Sequence, residues 1–262
     1  MKKLKKYFKV WWLMSKNSFM STAAQRWGAV TLLIGKLIRF GFFIVFIVFL
    51  LGGVKSLAGY NLREVAFFFL TFNFIDIVSQ FLFREVYRFR PLIVSGSFDL
   101  VLVKPVSALF RSLMGGADLL DFLTIPPLII AVILIARLLN PTPWQVVLYL
   151  LLLANGLLIA AAFHIAVLSL GIITMEIDHT IMIYRDLTNL GRFPIDIYKE
   201  PLKGILTYLI PVGIMVSLPA KAILGLVSFK GFIFSFIFGA FLLLISLRFW
   251  HFALKRYTSA SS

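Results

Sequence analysis

Cysteine is absent from the 262 residues, which excludes disulfides, iron–sulfur centres and thiol nucleophiles and leaves the redox compartment unread. Histidine is scarce. The three present, His164, His179 and His251, lack the close helical spacing of a zinc motif, so no metal site is expected. A Gly-x-x-x-x-Gly-Lys-[Ser/Thr] run is also missing, which excludes the usual P-loop cradle for nucleotide phosphates. Charge is thin overall. Charged residues make up 14% and hydrophobic ones 61% of the chain, against about 25% and about 45–50% in soluble domains. So little polar surface cannot enclose so much apolar surface in water, and the apolar faces must meet lipid.

The scarcest charge is acidic, 11 Asp and Glu against 26 Lys and Arg, for a net charge of +15. In a soluble chain that excess would suggest nucleic acid. Here Lys2, Lys3, Lys5, Lys6, Lys9, Lys16 and Arg26 crowd the first segment and Arg84, Arg88, Arg90, Lys104 and Arg111 crowd another. That is the pattern of basic loops on the cytoplasmic side of a membrane, beside anionic lipid, and nucleic-acid binding is not expected.

The expected fold is an all-α integral membrane protein with six transmembrane helices, forming one transmembrane domain over residues 1–262. Residues 1–27 open with lysines but lack a cleavage pattern, so no secretory signal is expected. On a helix, Leu4, Phe8, Trp11, Trp12 and Phe19 gather to one side and lysines to the other, as in an amphipathic helix lying at headgroup level. The first span is expected over Gly28 to Gly53, with Lys36 and Arg39 snorkelling to the inner surface and Lys55 to Arg63 outside. The second, Glu64 to Phe83, carries Asn73, Asp76 and Gln80 at spacings of three and four, which puts them on one face turned from lipid. They could line a substrate route or hydrogen-bond to neighbouring helices.

Residues 84–111 are too long and irregular for a turn and are punctuated by Pro91 and Pro105, so short helices are expected there. The third span ends near Leu139 and tolerates Pro126 and Pro127, and Asn140 to Trp144 is a tight outer turn. A fourth covers Gln145 to Leu168. A more polar fifth lies between Glu176 and Ile197, with Arg185, Asn189 and Arg192 on one face that must meet protein or water. Asp118 and Asp121 could meet Arg185 or Arg192 inside the bundle, or form the wet end of the third helix, the latter reading favoured for Asp118. Residues 201–226 are interrupted by Pro211, Pro219 and Lys221, which predicts two short helices in an outer re-entrant hairpin. The last span is Phe232 to Trp250. An even number of spans puts both basic ends in the cytoplasm, as the positive-inside rule requires, in a prokaryotic plasma membrane.

Three stretches carry a resemblance: Leu100-Val-Leu-Val-Lys-Pro-Val-Ser-Ala-Leu-Phe110, Arg192-Phe-Pro-Ile-Asp-Ile-Tyr198, and Ile210-Pro211 through Leu218-Pro219-Ala220 to Leu224-Gly225. Their order and placement resemble the membrane subunit of ABC-2 type ABC transporters, in particular the group with paired permease genes. The resemblance implies an outer helical hairpin within 201–226, with Pro211 and Pro219 in it, and a coupling helix in 84–111 docking on a nucleotide-binding subunit. Arg88, Arg90, Phe98, Asp99, Lys104 and Pro105 are the residues expected to make that contact. It further implies an ATPase partner holding ATP and Mg, none in this chain, and a second permease chain, identical or homologous, in contact with membrane lipids. Export rests on the resemblance alone. A stand-alone secondary transporter or channel is disfavoured by the lack of an inverted repeat, and a membrane enzyme by the lack of a recognisable catalytic motif around Asp118 and Asp121. No catalytic residue is assigned.

Overall fold

The computed structural model describes residues 2–53 and 56–258 and, in these, is helical throughout with no strand beyond one isolated bridge between Leu57 and Tyr60. Lys55 and the tail from Ser259 lie outside the described residues, as does the Arg39 side chain. The long helices are α1 (Lys2–Ala24), α2 (Arg26–Gly53), α3 (Leu62–Leu82), α7 (Leu119–Leu138), α8 (Pro143–Thr174) and α12 (Phe229–Lys255). Short ones are α4 (Phe89–Val94), α5 (Phe98–Leu102), α6 (Ala108–Leu113) and α9 (Asp178–Asn189). The segments Leu202–Leu209 and Gly213–Ile223, α10 and α11, form a bent pair.

Four of the long helices, α3, α7, α8 and α12, begin where a side chain can satisfy the free N–H groups of the first turn. At α3, Asn61 accepts from the N–H groups of Arg63 (2.9 Å) and Glu64 (3.1 Å), and Glu64 accepts from that of Asn61 at 2.7 Å, a complete capping box. Thr142 and Gln145 repeat the device at α8, where Pro143 supplies a preset first-turn φ. Asp118 caps α7 and Ser228 caps α12. Between α7 and α8 the chain reverses through Asn140 at φ 49°, a left-handed turn that asparagine tolerates. The helix α7 runs unbroken through Pro126 and Pro127.

Among the described residues, four helices are long and apolar enough to cross a membrane, α3, α7, α8 and α12, or five if the bent pair α10–α11 counts as one. The segment expected as the first span lies within the 28-residue helix α2, about 42 Å long at 1.5 Å per residue, which is not among those four. Between Glu176 and Ile197, however, the continuous helix is only the 12 residues of α9, followed by 3-10 turns at Leu190–Arg192 and Ile195–Ile197. Twelve residues rise about 18 Å, short of the ~30 Å hydrocarbon core. Gly191 and Pro194 stand at the breaks.

The helix α3 is the innermost: 56% of its apolar window is buried inside the protein, against 17% for α12, whose Phe234, Ile237, Phe241 and Leu244 face outward to lipid. The 32-residue α8 is the post against which α12, α11 and α3 all pack. On one side Asn155 donates to the Ser235 carbonyl of α12 at 2.9 Å. On the other, Gly156 meets α11.

That second contact explains the hairpin. The bend between α10 and α11 is 76° at Ile210, Pro211 and Val212. The two expected breakers behave differently: Pro211 sits at the bend, whereas Pro219 lies within α11. Its preceding turn, Gly213–Ser217, is a π turn whose hydrogen bonds skip five residues, so the ring does not displace an ordinary i−4 bond. Pro219 cannot donate to the carbonyl of Met215, four residues back, and it is this carbonyl that lies against Gly156.

Both chain ends meet residues 84–111. Lys6 Nζ donates to the Pro105 carbonyl at 2.8 Å, the Ser107 N–H donates to Tyr7 Oη at 3.2 Å, and Tyr257 packs on Phe98 at 5.2 Å. We call this the near face and the hairpin side the far face. The aromatic side expected of α1 is divided: Trp11 and Phe19 pack on Phe81 and Phe122, while Leu4, Phe8 and Trp12 stay exposed, apolar surface for a membrane interface.

Candidate functional site

The polar face of α3 opens on a cavity of about 240 Å³ between α2, α3, α7 and α9. Asn73, Asp76 and Gln80 line one wall, and Arg185 and Asn189 of α9 line another. All five residues picked as a polar path therefore share one cavity. Added to them are Lys36 of α2, Asp121 and Thr124 of α7, and Arg192, with Phe40, Phe69, Phe72 and Leu128 as apolar wall. Asn73 spends one donor on its own helix, at the Phe69 carbonyl (2.8 Å). Arg192 donates to Asn189 Oδ1 at 2.9 Å and stands 5.7 Å from the Phe72 ring centre. Arg185 stands 5.9 Å from the Tyr87 ring and forms no ion pair with a described residue.

Two sequence expectations are corrected here. Lys36 does not snorkel; its ammonium is hydrogen-bonded to Asp121 Oδ1, since a carboxylate level with it is nearer than the headgroup region. Asp118 is not a wet helix end: it is buried, caps α7 through the Leu120 N–H (2.8 Å) and pairs with Arg84 at 2.9 Å. Neither acid meets Arg185 or Arg192 in an ion pair. Asp121 is 1% exposed, and its second oxygen, Oδ2, is buried with no hydrogen-bond partner. The pairing was recoverable only as a lysine within one apolar run and an aspartate within another, charges that call for a partner.

On the near face, residues 84–111 form a 3-10 turn followed by α4, α5 and α6. The structure separates the six residues picked for docking. Phe98 is fully buried among Phe89, Trp250 and Tyr257, so it anchors the segment to α12 and offers no contact surface. Arg88, Arg90, Lys104 and Pro105 are exposed and Asp99 is half-buried. Arg90 lies 3.4 Å from both Glu176 and Asp178 at the start of α9, which ties the segment to the helix that carries Arg185 and Asn189. The exposed apolar surface missed by sequence is Leu100 and Val103, 63% and 79% exposed. An i, i+3 apolar pair beside a lysine was the available signal.

On the far face, Asp196 gathers the ends of several elements. Its carboxylate receives Lys203 Nζ (2.9 Å), Lys221 Nζ (2.7 Å) and the Tyr60 hydroxyl (2.9 Å), joining the loop before α3 to α10 and α11. Two far-face lysines, Lys203 and Lys221, thus share one acid. Burial works to raise the Asp196 carboxyl, but the hydrogen bonds from Lys221 and Lys203, with Tyr60, outweigh it and hold the group at about 2. A depressed carboxyl stabilises the fold above its unfolded value near 3.8 and loses that contribution as pH falls through about 2. Hydrogen-exchange protection of residues 202–223, corrected for intrinsic rate, is therefore expected to stay flat from neutral pH to about 4.5 and to drop below about 3. Asp196→Asn is expected to show the lower protection already at neutral pH, and unchanged protection in that variant would refute the clamp.

A family model described as ABC-2 family transporter protein matches residues 37–261. Comparison with curated proteins and with solved structures finds no match. The match covers every described helix from the second half of α2 onward, including the cavity except Lys36, the near-face segment and the hairpin. With several helices apolar enough to span a bilayer, it identifies this chain as a membrane permease belonging to the ABC-2 family of transporter proteins.

Proposed function

We propose that the chain is the permease subunit of an ATP-driven exporter, worked by a separate ATP-hydrolysing subunit that binds ATP and Mg. A second permease chain, identical or homologous, completes the assembly in a prokaryotic plasma membrane. Six crossings are assigned: α2, α3, α7, α8, α9 with the turn at Leu190–Arg192, and α12, which leaves Asp196 on the far face. The near face, with both chain ends, is cytoplasmic; its basic residues and the positive-inside rule support this.

The observation that carries the reading is the construction of residues 84–111. A segment that transmits force must be rigidly joined to the bundle and still present a free surface. Phe98 supplies the joint and Leu100, Val103 and Lys104 the surface. Arg90 supplies the link to α9, so a push on the segment reaches the helix lining the cavity. The cavity is accordingly the cargo site, in a chain without a P-loop run.

Mild-detergent capture of the tagged chain followed by mass spectrometry tests this. An ATP-binding subunit is expected with the wild type and is expected to be lost with Lys104→Glu. Arg90→Glu should keep the partner but uncouple its ATP hydrolysis from transport, and Glu176→Lys with Asp178→Lys should restore coupling. A wild-type chain that comes down without any ATPase from several detergents would end the reading.

A further inference from the structure

The cavity has an unusual balance of used and unused polar capacity. Among its lining residues three are cationic, Lys36, Arg185 and Arg192, and two acidic, Asp76 and Asp121. Lys36 is spent on Asp121, yet Asp121 keeps a buried oxygen without a donor. A buried carboxylate oxygen left without a donor is costly, so the Asp121 carboxylate has capacity for one more donor. Arg185 is incomplete in the opposite sense: it lines the same cavity with the Tyr87 ring 5.9 Å from its guanidinium and forms no ion pair with a described residue. The residue short of a donor and the residue short of an anion line one cavity.

The size and position of that space limit what fills it. About 240 Å³ falls below the ~300–1,000 Å³ of pockets that enclose a whole drug-sized ligand, and suits a head group. The α2 wall, with Leu37 and Phe40, is where a tail can leave: Leu37 lines the cavity and is still 57% exposed on the lipid side of the helix. Stacking of α3 on α7 sets Phe81 against Phe122, so Gln80 and Asp121 lie at the near end of the cavity. Arg192, over Phe72, lies about 12 Å farther along α3 by helical rise.

We propose that the cavity binds an amphiphile whose head carries both an acid group, taken by Arg185, and an N–H donor, taken by Asp121 Oδ2, with its tail passing Leu37 into the bilayer. This rests on the reading of the cavity as the cargo site, and it specifies the cargo as a zwitterionic head group on an apolar chain. A purely anionic lipid would leave Asp121 unpaired, and a cationic one would leave Arg185 so.

Native mass spectrometry of the full chain titrated with short-chain lipids tests the assignment. Dihexanoyl-phosphatidylethanolamine has the acid, the donor and the tails; dihexanoyl-phosphatidylcholine lacks the N–H; glycerophosphoethanolamine lacks the tails. The ethanolamine lipid is expected to bind at least about tenfold more tightly than either, the size of one charge-assisted hydrogen bond. Arg185→Gln is expected to weaken both lipids about tenfold, and Arg185→Lys to retain most binding. Asp121→Asn combined with Lys36→Gln, which removes the pair without stranding a charge, is expected to abolish the preference between the two lipids. Equal binding of the two lipids by the wild type, or a preference that survives in the double variant, would overturn the donor site. Equal binding of glycerophosphoethanolamine would overturn the lipid source. None of these measurements uses ATP, so selectivity without a copurifying ATPase would keep the head-group site and remove the exporter. An ATPase partner without selectivity would do the reverse.

Discussion

Gly156→Val is expected to lower the melting temperature of the purified protein by about 6–12 °C, the largest stability loss of any single glycine replacement on α8. A Cβ at Gly156 would stand 2.4 Å from the Met215 carbonyl oxygen and 3.3 Å from Ile75 Cδ1. The first neighbour is backbone, on a helix held in place by the bend at Pro211, and it cannot swing aside as a side chain would. Overpacking of this kind costs about 1–3 kcal/mol and more where backbone must move, and 3 kcal/mol is about 6–12 °C for a chain of this size. The loss also has a place: α11 must lift from α8, so amides of residues 213–223 should exchange faster before the rest of the bundle does. Gly28→Val, where nothing lies within 4 Å, is the control and is expected to melt with the wild type. If Gly156→Val melts normally, the close approach of α8 and α11 is not what holds the hairpin.

Leu100→Asp together with Val103→Asp is expected to weaken capture of the ATPase subunit at least about a hundredfold while the permease melts as before. Both side chains are mostly exposed, so charges there disturb no packing within the chain. In a docked complex each would replace an apolar anchor worth about 1.5–3 kcal/mol with a desolvated carboxylate, and every 1.4 kcal/mol is tenfold. Phe98→Ala is expected to fail in the opposite way. That ring is fully buried against Phe89, Trp250 and Tyr257, and its loss costs about 3–5 kcal/mol of stability. Capture per folded chain should then change little although less folded chain survives. Melting curves with capture stoichiometry separate the two, and a Leu100, Val103 variant that still binds its partner would exclude α5 as the docking surface.

How far the cavity was legible is best seen in Asp121. Asn73, Asp76 and Gln80 declare themselves because their spacing is helical within an otherwise apolar run, and Arg185 and Asn189 for the same reason. Asp121 at the start of α7 has only Asp118 beside it, and that spacing names no partner. Its partner, Lys36, sits 85 residues away on another helix, and the local reading of that lysine, a side chain reaching for the headgroups, was equally sound chemistry. Phe98 and Leu100 make the same point within one turn of helix. Both are large and apolar, in a loop with basic neighbours, and nothing in the run from Phe98 to Lys104 says that one is a bolt and the other a contact surface.

What the sequence determined by itself is everything that depends on local composition and period. The lipid environment follows from 61% hydrophobic residues, the approximate spans from the long apolar runs, a break in 201–226 from its prolines, and the short helices of 84–111 from its prolines and polar breaks. The family likeness was legible in the same way, through the order of its segments. Only the tertiary structure decided which charges pair, which aromatics are buried, and why the helix continues through Pro219. Those outcomes rest on contacts between segments far apart in sequence, such as Lys36 with Asp121, Tyr60 with Asp196 and Gly156 with Met215. A local pattern states that a polar group in an apolar run needs a partner, but only packing in three dimensions selects the partner.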